Sequence, residues 1–314
     1  MVFFGKIAAV VFAWGAYAVL RLVGWKRKTV FANVKHVAGA FPQAIPNAFS
    51  TASRATPNVS TAVPVNYDEL LFNLTRHVGE LLFCFGTFKR LPADFSKYPC
   101  RVDGWDFALD EAAIPVLEKM RSGGIFLTAH YGNYEAMGPW LCRLGIPLVA
   151  SYIPVKPKWL NNILERKIRS VDGRSYSVDA RTPRDFIRIL NDGKLFCLLS
   201  DQDSRIPSAL LGTLLGQPVN MNPLPDFLLK HRPQTPVFIC WMEERGASPK
   251  GTSTKGASSK KVRVLHAIEV GGAQSKVVEK FNKWLEQRIL ENPNLWYSFT
   301  HRRFYSQSPE IYGE

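Results

Sequence analysis

Short apolar runs alternate with segments of helical spacing over most of the chain, and this alternation limits the fold more than any other feature. Runs such as 124–128 and 195–200 are continuously apolar, which is typical of strands buried inside a covered sheet. Strands are predicted at 124–128, 147–152, 174–178, 195–200, 236–242 and 261–270, and helices at 67–85, 134–144, 159–170, 182–191, 224–231 and 275–291. The pattern predicts an α/β fold with a single mixed, mostly parallel sheet covered by helices.

Composition and charge narrow the class of protein. A chain of 314 residues with 46% hydrophobic and 21% charged residues excludes disorder, coiled coil, collagen and a polytopic membrane bundle. The net charge of +14 indicates an anionic partner, which could be nucleic acid, an anionic lipid surface or an acidic or phosphorylated substrate. Residues 29–314 are expected to form one domain, interrupted by flexible loops at 40–66 and 246–260.

The amino terminus is predicted to associate with a membrane. Ile7–Leu20 is an uncharged apolar run of 14 residues, and the basic cluster Lys26–Lys28 follows it. A bilayer span takes about 20 residues, a length that the run reaches through Trp25 if Arg21 snorkels. A signal peptide and a buried core helix are alternatives, but the basic cluster favours a membrane anchor or interfacial helix over residues 1–28. The excess of positive charge after the run predicts that the remaining chain is cytoplasmic.

The number and spacing of the cysteines are typical of a protein in a reducing compartment. Their number is five, which is odd, and none forms a Cys-x-x-Cys pair. Most lie in apolar runs, so they are interpreted as small buried hydrophobic residues rather than as a disulfide framework or a zinc site.

The sharpest chemical motif is His130-Tyr-Gly-Asn-Tyr-Glu135, which follows the buried strand 124–128. Ligand sites of α/β folds lie at the carboxyl ends of strands, where this strand would deliver His130. Glu135 falls in the first turn of the next helix and could reach back to the imidazole, fixing its tautomer and leaving a general base. The alternative is a structural histidine beside a helix-capping glutamate.

Three further polar segments are candidate sites. Residues 200–205 follow the apolar strand 195–200, and Asp201 and Asp203 there could bind a metal or orient cations. The cations of 166–169 could form an anion site or a solvated helix face. The adjacent arginines of 296–304 suit phosphate or lipid headgroups, or belong to a structural carboxyl-terminal strand. Motifs for nucleoside triphosphates, dinucleotides, nucleophile elbows and zincins are missing from the sequence.

Taken together, these motifs resemble the lysophospholipid acyltransferase superfamily, and within it the late acyltransferases of lipid A biosynthesis (lauroyl and myristoyl transferases). The matching residues run in order along nearly the whole chain: Asn33, Phe41-Pro42, His130 to Glu135, Arg169, Asp201-Gln202-Asp203, Gly216-Gln217-Pro218, Trp296 and His301-Arg302-Arg303-Phe304.

The resemblance implies a glycerol-3-phosphate acyltransferase-like fold and an inner-membrane enzyme working on the cytoplasmic face. It would move an acyl chain from a thioester of acyl carrier protein or coenzyme A to a hydroxyl of a lipid A precursor. His130 would act as the general base and Glu135 would orient it. Neither a cofactor nor a metal is expected. The residues implied in substrate binding are Asn133, Arg169, Asp201, Asp203, Arg302 and Arg303.

The sequence also departs from the family, and these departures leave the acceptor open. Residues 45–65 resemble an insertion, 206–215 lacks the usual Phe-Phe before its glycine, and 246–260 is an unusual linker. A phosphatidylinositol mannoside, an aminolipid or another glycolipid could replace the lipid A precursor. A hydrolase is a further alternative, as is a non-enzymatic basic membrane-binding or nucleic-acid-binding protein. No nucleic-acid partner is expected, because no motif for one is evident.

Overall fold

The computed structural model describes residues 2–38, 65–151, 156–178, 182–246, 261–271 and 276–313, and within these ranges it contains ten α-helices and twelve strands. The helices are α1 Val2–Leu22, α2 Arg27–Val37, α3 Tyr67–Phe83, α4 Phe85–Phe88, α5 Ile114–Met120, α6 Tyr134–Arg143, α7 Lys158–Ile163, α8 Pro183–Asn191, α9 Leu224–His231 and α10 Val277–Glu291. The strands are β1 Cys100–Val102, β2 Trp105–Leu109, β3 Gly124–Thr128, β4 Leu148–Ser151, β5 Ser170–Val171, β6 Arg174–Ser175, β7 Ser177–Val178, β8 Leu195–Leu199, β9 Leu210–Leu214, β10 Gln217–Met221, β11 Val237–Gly246 and β12 Lys261–Gly271. Apart from 65–66 and 246, the predicted flexible loops lie outside the described residues.

Eight strands form one sheet in the order β1-β2-β12-β11-β3-β8-β4-β7. The β1–β2 and β12–β11 pairs are antiparallel, and the remaining neighbours are parallel. The predicted α/β class with a mixed, mostly parallel sheet is therefore confirmed. The hairpins β9–β10 and β5–β6 lie outside this sheet.

Helices cover both faces of the sheet, as the continuous hydrophobicity of the central strands requires. In β3, Ile125 and Leu127 join one apolar cluster while Phe126 joins the other, because successive side chains of a strand point to opposite faces. The first cluster includes residues of α2, α8, α9 and α10, and the second includes residues of α4, α5 and α6. The carboxyl ends of β3 and β8 therefore emerge between two packed layers.

Several boundaries differ from the prediction. The helix expected at 159–170 is α7 followed by a π-helical turn at Leu164–Ile168, and the strand expected at 174–178 is divided into β6 and β7. The hairpins β1–β2 and β9–β10 were not predicted. Their turns place Asp103-Gly104 and Leu215-Gly216 at positive φ, the conformation of tight two-residue hairpins. The segment considered as a carboxyl-terminal strand instead contains a 3₁₀ turn at Tyr297–Thr300.

The amino-terminal helix α1 has the length and apolar composition to cross a bilayer over Phe4–Leu22. It packs against α3 of the main domain, and the Arg21 guanidinium contacts the Asp68 carboxylate at 2.8 Å. The second helix, α2, is held to the carboxyl-terminal segment, since the Asn33 amide donates to the carbonyl oxygens of Phe299 and His301.

Candidate active site

Two neighbouring parallel strands bring His130 and Asp201 together. Thr128 of β3 is paired with Leu199 of β8, and the Ser200 amide donates to the Thr128 carbonyl oxygen at 3.1 Å. His130 and Asp201 each lie two residues beyond this pair, so the sheet register aligns them. The site thus lies at the carboxyl end of the sheet, as the sequence predicted for His130.

Asp201 holds His130 through both its backbone and its ring. The Asp201 Oδ1 atom lies 2.8 Å from His130 Nδ1, and Oδ2 accepts the His130 backbone N–H at 3.1 Å. Trp296 Nε1 and Ser298 Oγ also donate to Oδ2, at 2.9 and 2.6 Å. Burial alone would raise the pKa of this fully buried carboxyl, but His130 and these donors hold it well below its usual range. Asp201 is therefore a permanent anion behind the imidazole.

The His130 ring is poised for proton transfer. Burial lowers the pKa of the imidazole, but the charge and hydrogen bond of Asp201 outweigh it and the net pKa lies above the ordinary 6.5. Because Nδ1 faces the carboxylate, the neutral ring carries its proton there and leaves the Nε2 lone pair free. The side chain is 20% exposed, and no described residue donates to or accepts from Nε2.

The carboxyl-terminal segment closes over the turn that follows His130. Tyr131 and Trp296 form an isolated antiparallel bridge, and the Gly132 amide donates to the Leu295 carbonyl oxygen at 2.9 Å. Gly132 adopts φ +58°, a conformation that side chains disfavour, so glycine suits this turn. These backbone contacts therefore fix the position of the turn that carries His130.

Glu135 does not hold His130, and the predicted orienting role of Glu135 is wrong. Its Oε1 atom lies 3.4 Å from Arg169 Nη2, and both side chains are partly buried. The π-helical turn before β5 ends immediately before Arg169, a type of irregularity common at functional sites. The acid beside the imidazole is Asp201, which the sequence had placed among the substrate-binding residues. Glu135 and Arg169 instead form a second, adjacent charged pair.

The other residues expected to bind substrate are mostly engaged by the protein itself. Asn133 joins α3 to the turn that follows His130, because its amide contacts His77 Nδ1 at 3.1 Å and Glu80 Oε2 at 2.7 Å. Asp203 accepts from the Ser306 hydroxyl at 2.8 Å.

The two neighbouring arginines have different surroundings. Arg303 is fully buried and donates to the Asn220 carbonyl oxygen at 3.0 Å, and burial lowers its pKa to about 10. Arg302 is exposed, and its guanidinium lies over the rings of Tyr305 and Tyr312. Arg302 therefore lies at the surface, whereas Arg303 contacts only the interior of the protein.

A mainly apolar cavity of about 70 Å³, partly open to solvent, lies beside the Glu135–Arg169 pair. Glu135 and Arg169 contribute its charged groups, and Tyr134, whose ring centroid is 5.0 Å from that of His130, connects it to the imidazole. Its remaining lining is mostly apolar: Phe126, Gly138, Leu148, Ala150, Tyr176, Cys197 and Leu199. The cavity therefore offers a small apolar wall next to one charged pair.

His77 is a residue of the site that sequence reasoning missed. Its ring lies between those of Tyr134 and Tyr297, with centroids 5.0 and 5.6 Å away. Burial lowers its pKa to about 4 although Asn133 hydrogen-bonds the ring, so it is neutral at physiological pH. Its place within the amphipathic repeat of α3 was the only signal in the sequence.

The described residues contain no group of three or more His, Cys, Asp or Glu that could hold a metal. A scan of the chain against models of known protein families gives no match, and a search of curated proteins finds none of significant similarity. The function is therefore inferred from the site and from the motif resemblance.

Proposed function

We propose that the protein is a membrane-associated O-acyltransferase that moves a fatty acyl chain from a thioester to a hydroxyl of a membrane glycolipid. The observation that carries this proposal is the buried Asp201 carboxylate behind the partly exposed His130 ring, which Tyr134 separates from a small, mainly apolar cavity. A lipid A precursor is the acceptor that the ordered motifs favour, and the cytoplasmic face of an inner membrane is the corresponding location. The superfamily's glycerol-3-phosphate acyltransferase-like fold is part of the same proposal.

The chemistry follows from the free nitrogen of His130. Nε2 takes the proton of the acceptor hydroxyl as its oxygen attacks the thioester carbonyl carbon. The tetrahedral intermediate collapses, the carbon–sulfur bond breaks, and the leaving thiolate takes the proton from the imidazolium. The Asp201 charge stabilises that imidazolium. A positioned general base contributes roughly 10²–10⁴-fold, and holding the two substrates together contributes further through effective molarity.

Direct transfer fits the surroundings of His130 better than a covalent acyl-enzyme does. Within the described residues, no serine or cysteine side chain hydrogen-bonds the imidazole, whose ring partner is Asp201. The nucleophile that the base activates therefore comes from the acceptor.

The charged groups near the cavity suit the polar parts of the substrates. Arg169, paired with Glu135, would hold a phosphate or the donor's polar arm, and the apolar walls would contact the adjoining part of the acyl chain. The net charge of +14 complements both an acidic acyl carrier protein and an anionic membrane.

The test is a set of transfer reactions with purified full-length protein in phospholipid vesicles. Acyl carrier protein and coenzyme A thioesters are each combined with a lipid A precursor, a phosphatidylinositol mannoside or an aminolipid, and products are weighed by mass spectrometry. The proposal expects one acceptor to gain one acyl chain as one thiol is released. Free fatty acid as the only product would indicate a hydrolase, and folded protein that yields no product with any pair would contradict the proposal.

A further inference from the structure

The amino-terminal helix α1 has two unlike apolar faces. The side toward α3 is made of small residues at a four-residue interval, Gly5, Ala9 and Ala13, of which the two alanines are buried. The opposite side carries large apolar side chains open to the surroundings; Phe4 is 75% and Val11 is 65% exposed. Ile7, Val19 and Leu22 are also exposed, and the exposed Trp14 packs against Phe72 at the margin of the α3 contact. So wide an apolar surface requires an apolar covering.

Helix α1 runs antiparallel along the whole of α3. Near one end, a Cβ on Gly5 would lie 2.7 Å from the Phe83 carbonyl oxygen; at the other end, Arg21 binds Asp68. Between them, Ala9 approaches Gly79 so closely that a Cβ there would lie 2.6 Å from the Ala9 carbonyl oxygen. Backbones held this close by small residues form a rigid pair of helices.

Helix α3 is itself part of the catalytic domain. Its Glu80 accepts from Arg263 of β12 at 2.9 Å and from Asn133 of the turn that follows His130 at 2.7 Å. Arg76, also on α3, binds Glu244 of β11 at 2.8 Å. If α1 crossed a bilayer, these buried and partly buried ion pairs and the sheet behind them would have to enter the hydrocarbon, where charged groups are costly.

From these contacts we infer that α1 lies in the plane of the membrane, within one leaflet, with its large apolar face among anionic lipids. Its length of about 30 Å would suffice for a span, but its packing on α3 decides against one. Residues 2–38 carry six lysines and arginines and no acidic residue, which complements an anionic lipid surface. This inference concerns how the domain binds the membrane and does not depend on acyl transfer.

Depth measurement tests the inference. Single nitroxide labels are placed by Phe4→Cys, Val11→Cys and Val19→Cys, and their depth in phosphatidylethanolamine–phosphatidylglycerol vesicles is measured by collision with oxygen and a polar nickel chelate. An in-plane helix puts all three at one depth, about 5–10 Å into the headgroup–acyl boundary. Lys283→Cys, at an exposed position of α10, is the matched control and stays in water. Labelled wild-type protein gives the background of the five buried or half-buried native cysteines.

Two profiles would overturn the inference. A spanning helix would put the central label near mid-bilayer, about 15 Å deep, with the end labels near opposite surfaces. Spin–spin coupling between labels on different protein copies, without the oxygen accessibility of a lipid environment, would indicate that a second copy covers this face. Acyl transfer is measured on the same samples, so that loss of activity is distinguished from a wrong orientation.

The attraction between the basic residues after α1 and anionic lipids is tested separately. Replacing Lys26, Arg27 and Lys28 together by glutamine is expected to weaken binding to anionic vesicles on the order of a hundredfold, and to leave binding to neutral vesicles nearly unchanged. Equal binding of wild-type and variant protein to anionic vesicles would contradict the proposed electrostatic contribution.

Discussion

Replacing Asp201 by asparagine keeps the shape of the site and removes its charge. Three donors, the His130 and Trp296 N–H groups and the Ser298 hydroxyl, all point at Oδ2. The amide oxygen of an asparagine must therefore take the place of Oδ2, which puts its NH₂ group at the Oδ1 position, 2.8 Å from His130 Nδ1 in the wild type. That NH₂ group donates to Nδ1, so the ring proton moves to Nε2 and the base is blocked.

The expected loss is large. Where a buried aspartate orients a catalytic histidine, this substitution costs about 10⁴-fold in kcat because the wrong tautomer is stabilised, which corresponds to about 5 kcal/mol of barrier. The residual activity should also have a different pH dependence. Because the Asp201 charge raises the pKa of His130, its removal lowers that pKa and moves the acidic limb of the kcat/KM profile to lower pH.

The assay is thioester-dependent transfer in vesicles, measured across the acidic limb for the wild type and Asp201→Asn. Asp203→Asn is the matched control, since Asp203 is also nearly buried but binds Ser306 instead of the imidazole. The limb of this control is expected to stay at its wild-type position. An Asp201→Asn enzyme within tenfold of the wild-type rate, or with an unshifted limb, would refute the orienting role of Asp201.

Three further changes test neighbouring parts of the site. In the unfolded wild type His77 gains a proton as the pH falls below 6.5, whereas in the folded protein it stays neutral down to about pH 4, so stability falls over this pH window. Chemical denaturation should show a loss of up to about 3 kcal/mol for the wild type, and His77→Gln should flatten this pH dependence. Gly138→Ala, whose Cβ would lie 2.5 Å from Tyr176 Oη and 2.7 Å from its Cζ, should cost about 1–3 kcal/mol of unfolding free energy in chemical denaturation and slow transfer of long chains. Glu135→Gln weakens the pair with Arg169 and should raise the KM of the thioester in steady-state kinetics, while the acidic limb moves to lower pH by less than in Asp201→Asn.

The central strands were predictable because their physical signal is local. The runs that became β3 and β8 are apolar without interruption, which a strand buried on both faces requires. The hairpin turn at Asp103-Gly104 also has a local signal, a dipeptide that accepts positive φ, although the strands beside it were not predicted. The π-helical turn before Arg169 has no comparable signal in the sequence.

The pairing within the site was not predictable from the same information. His130 and Asp201 were each singled out, but their contact depends on β3 lying next to β8, and strand order is not encoded in local spacing. Glu135 was preferred as the partner because it is near in sequence, whereas Asp201 is 71 positions away. Trp296 and Ser298 hold the carboxylate from the carboxyl-terminal segment, which no periodicity connects to the sheet.

The rate of acyl transfer by His130→Gln, with the full-length protein in vesicles and a saturating thioester donor, tests the central claim most directly. Glutamine retains polar contacts of similar size but cannot accept the hydroxyl proton. The account predicts a fall of at least about 10²-fold with unchanged thermal stability of the domain. Transfer by the folded variant at a rate within a few-fold of the wild type would contradict the role of His130 as the base.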